Sequence, residues 1–93
     1  MTGLLYAELS YAVIGAAMEV HKTLGPGFLE NVYEVALVYE LQRLGLTFER
    51  QKRLAVYYKG LIIGDYRADI VVEGKVILEI KAQKHSRLWT RPS

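Results

Sequence analysis

The 93-residue sequence predicts a mixed α/β domain, with two N-terminal helices packed on a three-stranded antiparallel β-meander. Three observations carry that expectation. Apolar residues recur at steps of three and four near the N-terminus, and again between positions 29 and 44. After Thr47 the chain turns to short runs rich in Val, Ile and Tyr. Glycine-bearing spacers divide those runs, as hairpin turns require.

In the first segment, Tyr6, Leu9, Val13, Ala16, Ala17 and Val20 share one face of a helix predicted from about Leu4 to Thr23. "LGPG" at 24–27 ends it, because glycine permits the terminal conformation and Pro26 cannot continue the helix. A second helix is predicted over about Phe28–Leu44, with Leu29, Val32, Tyr33, Ala36, Leu37 and Leu44 at helical spacing and Gly45 as its stop. The tight connection makes the two helices antiparallel. "LAVYY", "LIIGDYRADIVV" and "VILEIK" then read as three strands, separated by Lys59-Gly60 and Glu73-Gly74-Lys75. The order describes one domain over residues 1–82, with a short basic tail at 83–93.

Composition is globular, at 52% hydrophobic and 24% charged residues, so a disordered chain is excluded. The absence of cysteine rules out disulfides and thiolate metal sites and fits a reducing, cytoplasmic setting. The apolar opening contains Glu8 and Glu19 and lacks a basic leader, which reads as an amphipathic helix and not as a signal or membrane span. A net charge of +2 permits contact with nucleic acid without arguing for it; Lys81, Lys84, Arg87 and Arg91 concentrate the basic excess near the end.

The last two strands make a sharper claim. Side chains alternate along a strand, so Glu79 and Lys81 share a face, as do Arg67, Asp69 and Val71. If Glu73, Gly74 and Lys75 form the turn, Val72 pairs with Val76, Asp69 lies opposite Glu79, and Arg67 lies opposite Lys81. If only Glu73-Gly74 form it, the two acids face opposite ways unless a bulge intervenes. Opposed carboxylates repel. A divalent cation relieves that repulsion, since Mg²⁺ takes hard oxygen ligands from one or two carboxylates together with water and phosphate oxygens. A lysine two residues beyond the second acid is placed to orient water or offset charge on a phosphate.

"DIVVEGKVILEIKA" resembles the signature of the PD-(D/E)xK nuclease superfamily, an acid, a spacer and then Glu-x-Lys at the end of a strand, with Ala68 where the superfamily carries a weakly kept proline. "EVHKTLGPGFLENVYEVAL" and "YYKGLIIGDYRADIVVEGKVILEIKA" resemble a small bacterial family within it, the GxxExxY proteins, named for residues that stand here as Gly27, Glu30 and Tyr33. The resemblance covers roughly residues 10–82. It implies a restriction-endonuclease-like core that hydrolyses nucleic-acid phosphodiesters, DNA more readily than RNA, with Mg²⁺ or Mn²⁺. Asp69 and Glu79 would be metal ligands with the Ile80 carbonyl, Lys81 the catalytic lysine and Glu30 an accessory acid. Tyr33 and Arg67 would flank them.

Each of these residues also has a structural reading. Glu30 in a first helical turn suits the helix dipole or a capping box. Asp69 suits a salt bridge to Arg67, Glu79 and Lys81 suit a solvent face, and Tyr33 suits the core. His21 suits a helix C-terminus; neither it nor His85 has partners at metal-ligand spacing. Trp89 is a lone aromatic with the means to stack on a base. Relatives of this type continue beyond the Glu-x-Lys strand, whereas "KAQKHSRLWTRPS" offers no helical periodicity. The chain therefore reads as a C-terminally short member with a bare sheet face and an unpaired edge. Self-association, or a protein partner on that face, is the expected consequence, and a catalytically inactive fold that binds nucleic acid or protein is the alternative function.

Overall fold

The computed structural model describes residues 6–81 and 87–90. Helix α1 spans Ala7–Leu24 and α2 spans Glu30–Arg43. Strands β1 (Phe48–Tyr58), β2 (Leu61–Val72), β3 (Val76–Glu79) and β4 (Arg87–Thr90) form one sheet in that order, each neighbouring pair antiparallel. The two helices and the three-stranded meander are those the sequence predicts. A fourth strand, β4, lies within the segment expected to be a basic tail. It pairs along the free edge of β3, and Leu88, opposite Leu78, adds apolar surface to the core. Four residues are too few to show a period against basic neighbours, so the sequence does not reveal this strand. The expected helix start near Leu4, the readings of Lys84, His85 and Arg91, and the Trp89 side chain lie outside the described residues.

Each helix buries one stripe. Val13, Ala16 and Val20 of α1 meet Tyr33, Leu37 and Leu41 of α2, and the pair covers Ile70, Val72, Val76, Leu78 and Ile80 on one face of the sheet. Leu29 and Leu44, expected on the buried stripe of α2, lie just outside the helix and are exposed; Leu41 occupies the buried position instead. Helix α1 stops at Gly25, whose left-handed φ of 71° lets its N–H reach the His21 carbonyl at 2.9 Å. At the start of α2 the N-cap is Leu29, with no side-chain capping bond. The capping box proposed for Glu30 is therefore not built, although its carboxylate does sit in the first turn, where the helix dipole favours it.

The two hairpin turns set the register. Lys59 and Gly60 both have positive φ (49° and 84°), the backbone of a two-residue turn that matches strand twist. The second turn takes three residues, and Lys75 N–H reaches the Val72 carbonyl at 2.9 Å. Glu73 holds φ 55° there because Thr47 grips it. The Glu73 N–H donates to the Thr47 carbonyl (2.9 Å), while Glu73 Oε2 accepts from Thr47 N–H (2.7 Å) and its hydroxyl (2.8 Å). The backbone and side-chain bonds from Thr47 hold this carboxyl below its usual range. Val72 consequently pairs with Val76, Val71 with Ile77 and Ile70 with Leu78, the register of a three-residue loop.

One buried carboxylate ties α2 to β1. Glu34 accepts from Arg50 Nε at 2.8 Å and from Gln51 Nε2 at 3.0 Å. Consecutive strand residues normally point to opposite faces. Gln51 breaks that alternation with φ 51°, which costs about 1–3 kcal/mol for a non-glycine residue. Hydrogen bonds to a charged group contribute about 1.5–3 kcal/mol, enough to offset that strain.

Candidate active site

The register of β2 and β3, carried one pair beyond Ile70 and Leu78, sets Asp69 opposite Glu79. Hydrogen bonds draw the two together. Asp69 Oδ2 accepts from the Ile80 N–H at 2.7 Å. Glu79 Oε2 accepts from the Tyr66 hydroxyl at 2.8 Å, and Glu79 Oε1 lies 3.4 Å from Lys81 Nζ. Asp69, Glu79, Ile80 and Lys81 are thus brought to one place, where β3 ends and the chain leaves the sheet. Both carboxylates are partly buried, which strengthens their mutual repulsion relative to open water.

Tyr66 reports that electrostatic environment. Burial, the hydrogen bond to Glu79, and the negative charges of Glu79 and Asp69 together push its phenol up to about 12. Its position has no distinguishing mark in a chain with 7 tyrosines, so sequence reasoning missed it. Negative charge that converges on one hydroxyl is charge that a cation would relieve. The donors present are carboxylate oxygens and a backbone carbonyl at Ile80, a hard set that fits Mg²⁺ or Mn²⁺. Among the described residues no group of three or more His, Asp or Glu gathers, so the acids here form a pair.

The other expected residues are placed differently. Glu30 is exposed at the start of α2, and its side chain has no hydrogen bond or ion pair among the described residues. Arg67 is exposed on β2 opposite Arg53 and forms no ion pair with Asp69. Tyr33 is buried, and its hydroxyl donates to the Gly25 carbonyl at 2.6 Å while accepting from Phe28 N–H at 3.3 Å. Its ring stacks on His21, with centroids 5.0 Å apart. Tyr33 therefore locks the Gly-Pro-Gly corner, and with His21 and the Ile80 side chain it lines one crevice. Glu34, which the sequence reading passed over, sits one residue further along α2 and fixes β1.

Two helices on an antiparallel meander, with an acid on β2 and Glu-x-Lys where β3 ends, make this a nuclease-like α/β domain. The model of the PD-(D/E)XK nuclease superfamily matches residues 7–88, and the chain belongs to that superfamily. Comparisons with curated proteins and with solved structures gave no match. Members of the superfamily generally use divalent metals, and membership implies a nucleic-acid partner. Among the described residues, no helix is long and apolar enough to cross a membrane.

Proposed function

We propose that this chain is a GxxExxY-type member of the superfamily that hydrolyses phosphodiester bonds in nucleic acid, DNA in preference to RNA, with Mg²⁺ or Mn²⁺. The observation that carries the reading is the Asp69–Glu79 pair with Lys81 at 3.4 Å from Glu79. Asp69, Glu79 and the Ile80 carbonyl would hold the metal. When bound, that ion lowers the pKa of water and neutralises phosphate charge. Lys81 Nζ orients the attacking water and offsets charge as the new P–O bond forms and the leaving P–O bond breaks. Tyr66 donates to Glu79 and holds its carboxylate in one orientation. Glu30 serves as an accessory acid reaching the nucleic acid from the start of α2.

A second reading has an observation of its own. Asp69 and Glu79 are already engaged by donors of this chain, at Ile80, Tyr66 and Lys81. A cluster satisfied from within also suits a non-catalytic module that binds nucleic acid or protein. Purified protein incubated with plasmid DNA and Mg²⁺ distinguishes the two. Metal-dependent cleavage that falls by about a hundredfold or more in both Asp69→Ala and Glu79→Ala supports hydrolysis. Cleavage that persists in both variants sinks the catalytic reading, and salt-sensitive binding without cleavage favours the module.

A further inference from the structure

The outer half of the β1–β2 hairpin extends past the helices. Tyr57, Tyr58, Leu61, Ile62 and Ile63 are each between 57 and 68% exposed, and Val56 beside them is also open to solvent. Lys59 is the one charged residue from Leu54 to Gly64, and it lies over the Tyr58 ring at 5.4 Å from the centroid. A register shift between Val56 and Tyr57 bends the arm. β1 is also a terminal strand of the sheet, so its outer edge offers unpaired backbone groups.

We propose that this arm is a homodimerisation device, in which two copies pair antiparallel through the outer edges of β1 over Leu54–Tyr58, about a two-fold axis at Val56. The inference is independent of the catalytic reading. Edge pairing about a two-fold axis is self-complementary, as an isologous interface must be. The strand is charged in its first half, at Glu49, Arg50, Lys52 and Arg53, and apolar in "LAVYY". Pairing centred on Val56 overlaps only the apolar half. One step further would set Arg53 of one copy against Lys59 of the other, so charge limits the overlap to those five residues.

The amount of surface fits a second copy. Six open side chains, each presenting roughly 100 Å² of apolar area, amount to about 600 Å² per copy. A partner in a standard interface contributes about 800 Å². A nucleic-acid partner is disfavoured, because phosphate contact relies on clustered Lys and Arg and the arm carries Lys59 alone.

Sedimentation of the 93-residue chain over a concentration series tests the proposal, together with cysteine cross-linking, which the cysteine-free background makes specific. The expected result is a monomer–dimer equilibrium whose Kd rises roughly thirtyfold in each of Tyr57→Lys and Ile62→Lys. Val56→Cys should cross-link efficiently on oxidation, whereas Met18→Cys, on an exposed helix position, should not. Circular dichroism checks that the lysine variants fold; if they do not, the two cysteine variants decide. A chain that stays monomeric at all concentrations overturns the proposal. So does a dimer that both lysine substitutions leave intact, or one that cross-links through Met18→Cys and not Val56→Cys. Arm-dependent binding to DNA or to lipid vesicles by a monomer would overturn it equally.

Discussion

Leu61, Ile62 and Ile63 open β2, and Ile70, Val71 and Val72 close it. The first three are 62–68% exposed, while the last three are fully buried. The two ends of one strand are similar in side-chain type and opposite in fate. Strand propensity explains why both are extended, and it is silent on burial. What differs is cover: α1 and α2 lie over the end where β2 meets β3, and the far end has only β1 beside it. The covered end is also where acids and lysine converge, since partial burial there gives charge interactions their strength. The same strand thus supplies a site at one end and an apolar arm at the other.

Truncation of one side chain at each end should break that symmetry most plainly. Ile70→Ala should cost about 2–5 kcal/mol through lost burial and the cavity left behind. Ile62→Ala, measured by urea unfolding at concentrations where the chain is monomeric, should stay within about 0.5 kcal/mol. Equal costs would mean that the arm is covered in the folded monomer.

A smaller effect sharpens how the covered end is anchored. Glu34→Ala removes the acceptor for Arg50 and Gln51 and should destabilise by about 1–3 kcal/mol, since Arg50 is half-exposed and retains solvent. In that background Gln51→Gly should restore about 1 kcal/mol, because glycine tolerates the left-handed backbone. If Gln51→Gly gives no recovery, the strain assigned to Gln51 is absent.

The smallest expected effect concerns Tyr66. Its folded pKa of about 12 lies above the ordinary value of 10.0, so its contribution is fully present below about pH 10. That contribution is lost as pH rises towards 12. Tyr66→Phe should lower stability by about 1 kcal/mol at neutral pH. It should also remove an ultraviolet phenolate transition near pH 12. A variant titration curve identical to the parent there would place Tyr66 away from the two carboxylates.

Legibility in the sequence followed the range of the interactions. The α1 stripe is local: Val13, Ala16 and Val20 repeat with the helix itself, and they are buried as their spacing predicts. The α2 stripe was half legible, because helical spacing does not say that the chain leaves the helix before Leu44 and that Leu41 is the residue turned inward. Strand β4 was hidden by its length. Glu34 looked like any helix-surface acid until β1 brought Arg50 and Gln51 against it. For the candidate site, Asp69, Glu79 and Lys81 were visible by type and spacing, yet their meeting depended on a turn length that the residues left open between two and three.

By itself, the sequence determined the element types, the hairpin positions and the residues able to carry metal-dependent chemistry, because these rest on backbone preference and short-range periodicity. Tertiary structure alone decided the β2–β3 register, through Thr47 holding Glu73 in a left-handed turn, and with it the pairing of Asp69 and Glu79. It also decided which apolar runs are core and which remain open on the arm. Burial depends on what the folded chain lays over a strand, and that cover comes from residues distant in sequence.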